Sequence, residues 1–257
     1  MSKNGTCKLC LIQTELKQSH VIQNTYFRQI LRAGNGNGIK MVADGETEIS
    51  YSSDSAKELM LCEGCETHIN RHYESHADYL FNIEKNPRKT TEKFVSFGAF
   101  KPEKLILFYL SILWRAANSS QELYENVNLS LELNEALRVA VLNTNCPSTN
   151  FIGVKCHKLT DLKKENHFTE EQLLSFISVP SAYVSKSYKT YFFCFAGIYA
   201  EIRIGGFTGK ARNEAGVLLK KSKVLVMPYI NIFDIPQFEY LLKINYLKQQ
   251  IGKSKIN

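Results

Sequence analysis

The chain contains two cysteine pairs with the same short spacing, Cys7-Lys8-Leu9-Cys10 and Cys62-Glu63-Gly64-Cys65. Each pair is short enough to form a tight turn, and two such turns supply the four thiolates that a tetrahedral zinc ion requires. Four thiolates leave no coordination position for water, so such a zinc is structural. The pattern predicts one structural Zn²⁺ bound by Cys7, Cys10, Cys62 and Cys65. The alternative is four thiols without a metal.

Three histidines follow the second pair at a spacing of four residues, His68, His72 and His76. On a helix they share one stripe, and two histidines at this spacing can chelate a metal. A polar edge of an amphipathic helix gives the same pattern, and we favour that interpretation. Glu66 and His68 would point about 160° apart on such a helix, so they cannot serve one site. His68 is retained as a candidate ligand only.

The elements that must position these residues follow from the hydrophobic pattern. Residues 1–24 indicate a zinc-binding turn followed by a short strand that ends near His20, and residues 25–33 indicate a helix. A longer helix is predicted from Cys65 to about Phe81. A cysteine turn, a strand, a second cysteine turn and a helix, in this order, are typical of a treble-clef zinc module, which we predict over residues 1–83.

The remainder of the chain predicts a second, larger unit. Residues 84–100, with Arg88, Lys89 and Lys93, are interpreted as a basic linker. A helix then runs from Lys101 to about Ala117 and is apolar on nearly every face, which is typical of a helix buried on several sides. A helix at 130–143, strands at 151–158, 191–204 and 224–227, and a helix at 235–250 complete a mixed domain over 101–257. The predicted fold class is α+β.

The composition limits the class of partner. The 257 residues carry a formal net charge of +7, which favours nucleic acid or another polyanion, although a lysine-rich solvated surface gives the same value. The longest apolar run is about half of what a bilayer requires, so no membrane partner is expected. The first residues have no apolar segment of an export signal, and paired cysteines suit a reducing compartment. We therefore predict a cytoplasmic protein.

Several of these segments together resemble the four-cysteine subgroup of HNH (ββα-metal) endonucleases. The resemblance rests on the first cysteine pair, on Ser19-His20-Val21-Ile22 after a strand, and on Leu61–Glu66 before a helix. It covers about the first 80 residues. The same segments, together with Leu113-Trp114-Arg115, are also similar to a set of uncharacterised bacterial proteins, a likeness that carries no mechanism.

The resemblance implies roles for individual residues. His20 matches the general base that activates water, and Glu66 stands where the last metal-binding His or Asn is expected. Ser19 stands in place of a metal-binding Asp, and the middle Asn, expected near Lys57 or Glu58, is missing. Because a glutamate can bind a hard cation, Glu66 would hold Mg²⁺ or another divalent cation. His20 and Glu66 are thus the candidate catalytic residues; alternatively, His20 packs and hydrogen-bonds a backbone carbonyl.

These implications give a leading function and two alternatives. The leading hypothesis is an HNH-like, metal-dependent nuclease that cleaves DNA or RNA phosphodiesters, with a role in bacterial or phage-conflict (antiviral) defence by analogy. The first alternative is a non-catalytic zinc module that binds nucleic acid or a partner protein. The second is a regulatory or toxin-like subunit whose activity needs another protein.

Overall fold

The computed structural model describes residues 3–33, 38–41, 50–52, 57–82, 85–161, 168–184, 188–236 and 238. This part of the chain combines helices and strands, so the mixed α and β character predicted from the sequence is confirmed. The helix expected over 235–250 lies almost wholly outside the described residues. The helices are α1 (Asn24–Ala33), α2 (Glu63–Ile69), α3 (Ser75–Phe81), α4 (Pro102–Ala117), α5 (Leu131–Leu142) and α6 (Glu170–Leu174), and a π turn (Asn70–Glu74) joins α2 to α3.

The strands form two sheets, a small one of three strands near the N-terminus and a large one of nine strands. The small sheet has the order β1-β2-β5 and is antiparallel, and the large one has the order β4-β3-β9-β10-β11-β8-β12-β7-β6. The strands are β1 (Lys3–Thr6), β2 (Gln13–His20), β3 (Gly38–Met41), β4 (Ser50–Ser52), β5 (Lys57–Cys62), β6 (Arg88–Thr90), β7 (Phe94–Phe97), β8 (Ile152–Thr160), β9 (Phe176–Val184), β10 (Lys189–Phe195), β11 (Ile198–Ile204) and β12 (Leu225–Asn231).

The small sheet brings the two cysteine pairs to one end. The first pair lies in the turn between β1 and β2, and β5 ends at Cys62, the residue that caps α2. Antiparallel pairing sets Leu16 opposite Cys62 and His20 opposite Lys57. The hairpin β3–β4, which lies between the two cysteine pairs in the sequence, belongs to the large sheet, because β3 pairs in parallel with β9.

The stretch 84–100 is not a linker in the structure. It contributes the strands β6 and β7, and β7 pairs with β12 so that Phe97 faces Leu225 and Val95 faces Met227. Val95 and Phe97 are both buried. The linker prediction was wrong because it relied on the basic residues of this stretch, which suggest an exposed segment. The apolar side chains that alternate after Lys93 instead form a strand near the edge of the large sheet.

Helix α4 occupies the centre of the molecule. Its residues from Leu105 to Ala116 are all buried, which confirms the prediction of a helix surrounded by neighbours. It packs against α5, α3, the π turn and β11, and its Arg115 donates to the His20 carbonyl at the end of β2, so it contacts both sheets. One apolar cluster includes buried residues from Cys7 to Met227, and a second includes Phe176, Phe192 and Phe238. The one basic side chain within the buried run is Arg115.

Helix α4 is apolar on nearly every face, but it is shorter than a bilayer is thick. Its 16 residues span about 24 Å, less than the roughly 30 Å hydrocarbon thickness of a bilayer. Among the residues that the structure describes, no helix has both the length and the apolarity needed to cross a membrane.

Candidate metal centre and the polar cluster beneath it

The four predicted cysteine ligands lie together. Their Sγ atoms all lie within 4.8 Å of one another, and those of Cys10 and Cys62 are 3.9 Å apart. A tetrahedral zinc with Zn–S bonds of about 2.3 Å requires sulfur atoms about 3.8 Å apart, so only small shifts would close the cluster around an ion. The cysteines could therefore hold a metal such as zinc.

Backbone hydrogen bonds fix the first cysteine turn. The Leu11 amide donates to the Cys7 carbonyl at 2.8 Å, and Leu11 takes a positive φ of 62° to complete the turn. The Cys62 amide donates to Cys7 Sγ at 3.3 Å, which ties the first pair to the start of α2. Such N–H donors favour the thiolate form of cysteine, which is the form that binds a metal.

The thiols are also coupled electrostatically. A hydrogen bond from Cys65 lowers the pKa of Cys7 to about 4, with backbone amides adding to the effect against burial. The same contact raises the pKa of Cys65, which keeps its proton and donates it. The pKa of Cys7 is thus lower than that of Cys65, its partner in this hydrogen bond. A bound Zn²⁺ would replace the shared proton as the group that holds the sulfur atoms together.

Glu66, one of the two candidate catalytic residues, directly follows the metal-binding candidate Cys65. Ser19 is buried, donates its hydroxyl proton to the Glu66 carboxylate and accepts the Leu61 amide at 3.2 Å. Burial raises the pKa of Glu66, although the Arg115 charge and the Ser19 hydroxyl oppose the shift. The structure therefore brings Ser19 and Glu66 into contact, the two positions that the HNH resemblance assigns to metal binding.

His20 is partly buried and has cations nearby. Its Nε2 atom is buried and has no hydrogen-bond partner among the residues that the structure describes, so this atom does not make the bond to a backbone carbonyl that was considered for His20. Burial, followed by the charges of Lys57, Arg115 and Arg28, lowers its pKa to about 4. The imidazole is therefore neutral near pH 7.

Arg115 lies between these groups as a fixed cation. Its guanidinium donates to the His20 carbonyl at 2.8 Å, to Glu74 Oε1 at 2.9 Å and, through Nε, to the Ser111 carbonyl at 3.3 Å. Arg115 is 1% exposed, so water contributes little to its solvation. Its charge also favours the ionised form of Glu66. We call Ser19, His20, Glu66, Glu74 and Arg115 the polar cluster.

The π turn places Glu74 in the polar cluster, and the three histidines near it do not form one group. His68 Nε2 lies 2.9 Å from the Val141 carbonyl, and its ring lies 4.6 Å from that of His72. His76 instead accepts the Lys101 amide at 3.1 Å. His68 and His72 are therefore in contact, whereas His76 is bonded to the start of α4. In the described part of the chain, the four cysteines are the one group of three or more Cys, His, Asp or Glu side chains close enough to hold a metal.

Two members of the polar cluster carry roles that the motifs did not assign. Arg115 stands in the Leu113-Trp114-Arg115 segment, and Glu74 stands at no motif position. The sequence does contain a signal for Arg115: it is the single charge in a stretch of helix that is otherwise apolar on all faces. Because a buried charge requires a buried partner, such a residue predicts a buried ion pair. The partner could not be found by spacing, since the π turn shifts Glu74 away from its position on a regular helix.

No protein-family model, curated protein or solved structure matches this chain significantly.

Proposed function

We propose that the N-terminal segment is a treble-clef, HNH-like zinc module that stabilises the fold without cleaving phosphodiesters, and that the protein binds nucleic acid. The supporting observation is the position of Arg115. The HNH resemblance assigns a divalent cation to the positions of Ser19 and Glu66, and in this chain a buried guanidinium supplies the positive charge beside them.

Arg115 makes a second cation at this place unfavourable. Its guanidinium already neutralises Glu74 and lies near Glu66, and a divalent ion here would face a like charge in a poorly solvated environment. Mg²⁺ also requires octahedral oxygen ligands at 2.0–2.1 Å and retains several waters. Ser19 directs its proton at Glu66 and so presents a donor where a ligand oxygen is needed. The polar cluster therefore suits a structural role.

The charge distribution supports nucleic acid as the partner and indicates which part of the chain contacts it. Residues 1–83 carry 8 Lys and Arg against 10 Asp and Glu, whereas residues 84–257 carry 24 against 15. The basic excess thus lies in the part that contains most of the large sheet. Because lysine and arginine neutralise phosphates and release counterions, this part is the expected contact region.

Fluorescence anisotropy with labelled duplex DNA, single-stranded DNA and RNA tests binding. We expect affinity for at least one of these to fall steeply between about 50 mM and about 200 mM salt, as counterion release requires. Lys221→Glu combined with Lys223→Glu lowers the affinity, whereas the matched pair Lys3→Glu and Lys17→Glu in the zinc module does not. No binding at low salt to any of the three probes would contradict the proposal.

A metal-dependent nuclease is the second candidate, and His20 is the observation in its favour. A neutral imidazole with a free Nε2 next to the Ser19–Glu66 pair has the chemistry of a general base. This reading requires Mg²⁺ or another divalent cation at Glu66, in addition to the structural zinc. A role in antiviral defence would follow only from this activity.

A further inference from the structure

Two adjoining cavities lie where the large sheet meets α6, away from the cysteine cluster. Their volumes are about 590 Å³ and about 450 Å³. Both are lined by Arg88, Lys158 and Glu170, so these three side chains stand at their common boundary. A space of this size accommodates a small organic molecule.

Lys158 is the unusual residue of this site. It lies on β8, in the interior of the large sheet between β11 and β12. The residue is only 8% exposed, and the carboxylate that attracts its ammonium group is that of Glu170. Lysine is rarely this buried unless it is paired, and the cavities beside Lys158 leave room for a ligand that pairs with it.

The hairpin turn between β10 and β11 is shaped around this amine. Ala196 and Gly197 form the turn with positive φ values of 49° and 71°. A Cβ atom on Gly197 would lie 2.6 Å from Lys158 Nζ, closer than any van der Waals contact allows. Gly197 is thus required by its backbone conformation, and a side chain at this position would displace the lysine amine from the place it occupies.

The charges at the boundary favour an anion. Burial, against the attraction of Glu170, lowers the pKa of Lys158 to about 8, and the charge of Arg88 on β6 adds to the shift. Glu170 lies on the exposed start of α6, where water screens it. Two cationic side chains therefore face the cavities. Carboxylates line them as well, but those of Glu92, Glu170 and Glu171 are exposed to water, and that of Asp161 accepts the Phe168 amide at 2.9 Å. An anion placed between the two cationic side chains would stabilise both.

The walls of the larger cavity are of a different kind. Tyr26, Phe81 and Phe97 contribute aromatic rings, and Leu174 and Ile198 contribute aliphatic surface. An apolar lining with a few converging polar groups is the usual composition of a small-molecule site. The larger cavity is thus lined by apolar as well as cationic side chains.

We propose that these cavities bind a small organic anion, with its anionic group held by Lys158 and Arg88 and its flat apolar body packed against Tyr26, Phe81 and Phe97. The anionic group is a phosphate or a carboxylate, since both suit the arginine fork and the lysine point charge. The proposal does not rest on zinc binding or on nucleic-acid binding, although Tyr26 and Phe81 belong to the N-terminal segment 1–83.

Pyridoxal 5′-phosphate is a suitable probe because it combines an aldehyde, a ring and a phosphate. Its aldehyde condenses with an unprotonated lysine amine to an imine and releases water, and borohydride then reduces the imine to a stable secondary amine. We expect peptide mass spectrometry to find Lys158 labelled ahead of the exposed Lys93 and Lys210. Adenosine monophosphate and an aromatic carboxylate, added separately, distinguish the two anionic groups by which one protects Lys158.

Two controls separate an anion site from mere amine reactivity. Pyridoxal, which lacks the phosphate, and the variant Arg88→Gln should each reduce labelling of Lys158 about tenfold, the equivalent of one charge-assisted hydrogen bond. Arg88 lies on an edge strand, so this variant is expected to fold. Equal labelling by pyridoxal and its phosphate, or labelling of Lys158 no faster than that of the exposed lysines, would overturn the proposal.

Discussion

Arg115→Met is the substitution that most directly probes the polar cluster. The side chains of Arg115 and Glu74 are 1% and 9% exposed and their charged atoms are 2.9 Å apart, so methionine leaves the Glu74 carboxylate buried without its counter-ion. Removing one partner of such a pair costs about 3–5 kcal/mol. The guanidinium bonds to the His20 and Ser111 carbonyls are lost as well. We therefore expect a loss of at least about 3 kcal/mol in the free energy of unfolding.

Urea denaturation of the zinc-loaded protein, followed by circular dichroism, measures this loss. The double variant Arg115→Met with Glu74→Leu should recover most of it, because an apolar pair of similar volume often replaces a buried ion pair without cost. Lys17→Met, which removes an exposed ion pair, is the matched control and should change stability little. A loss below about 1 kcal/mol for Arg115→Met, as for a surface pair, would refute the reasoning.

Three further predictions follow from other parts of the molecule. Cys62→Ser should abolish binding of the one zinc per chain that elemental analysis is expected to find and should unfold the small sheet; a native circular dichroism spectrum without zinc would contradict this. Lys158→Met should stabilise the protein at pH 7 by about 3 kcal/mol, because the folded pKa of Lys158 is about 8 instead of 10.5. The gain in the free energy of unfolding of Lys158→Met over the wild type should shrink as the pH rises from about 8 to about 10.5, because in this range Lys158 is deprotonated in the folded chain and still protonated in the unfolded chain. A gain that stays constant with pH in urea unfolding would contradict the buried charge. Gly197→Ala should lower the melting temperature more than Gly98→Ala, whose Cβ meets no atom within 4 Å, and equal shifts would contradict the close approach to Lys158.

The sequence was most informative where local pattern and final environment agree. Two matched cysteine spacings are sufficient to predict a four-thiol cluster, because each turn is a local structure. The continuous apolar run of α4 likewise predicts its own burial. Both features are present in the structure.

The sequence was least informative where the environment is set by distant parts of the chain. Residues 88–97 contain three basic side chains and were therefore interpreted as part of a linker. Only the pairing of β7 with β12 in the folded chain shows that Val95 and Phe97 face the core. The partner of Arg115 depends on a π turn, which has no reliable sequence signal. The surroundings of Lys158 include a hairpin about 40 residues away in the chain, so no local spacing could have identified the proposed site.

The most direct test of the central claim is a cleavage assay with zinc-loaded protein, in which plasmid and single-stranded substrates are incubated with Mg²⁺, Mn²⁺ or EDTA. The account predicts one zinc per chain and no metal-dependent cleavage, since Arg115 provides the positive charge beside Glu66. His20→Ala, with its zinc content measured, is run in parallel and is predicted to behave as the wild type. Cleavage that requires Mg²⁺ or Mn²⁺ and disappears in His20→Ala with its zinc retained would contradict the account and establish the nuclease.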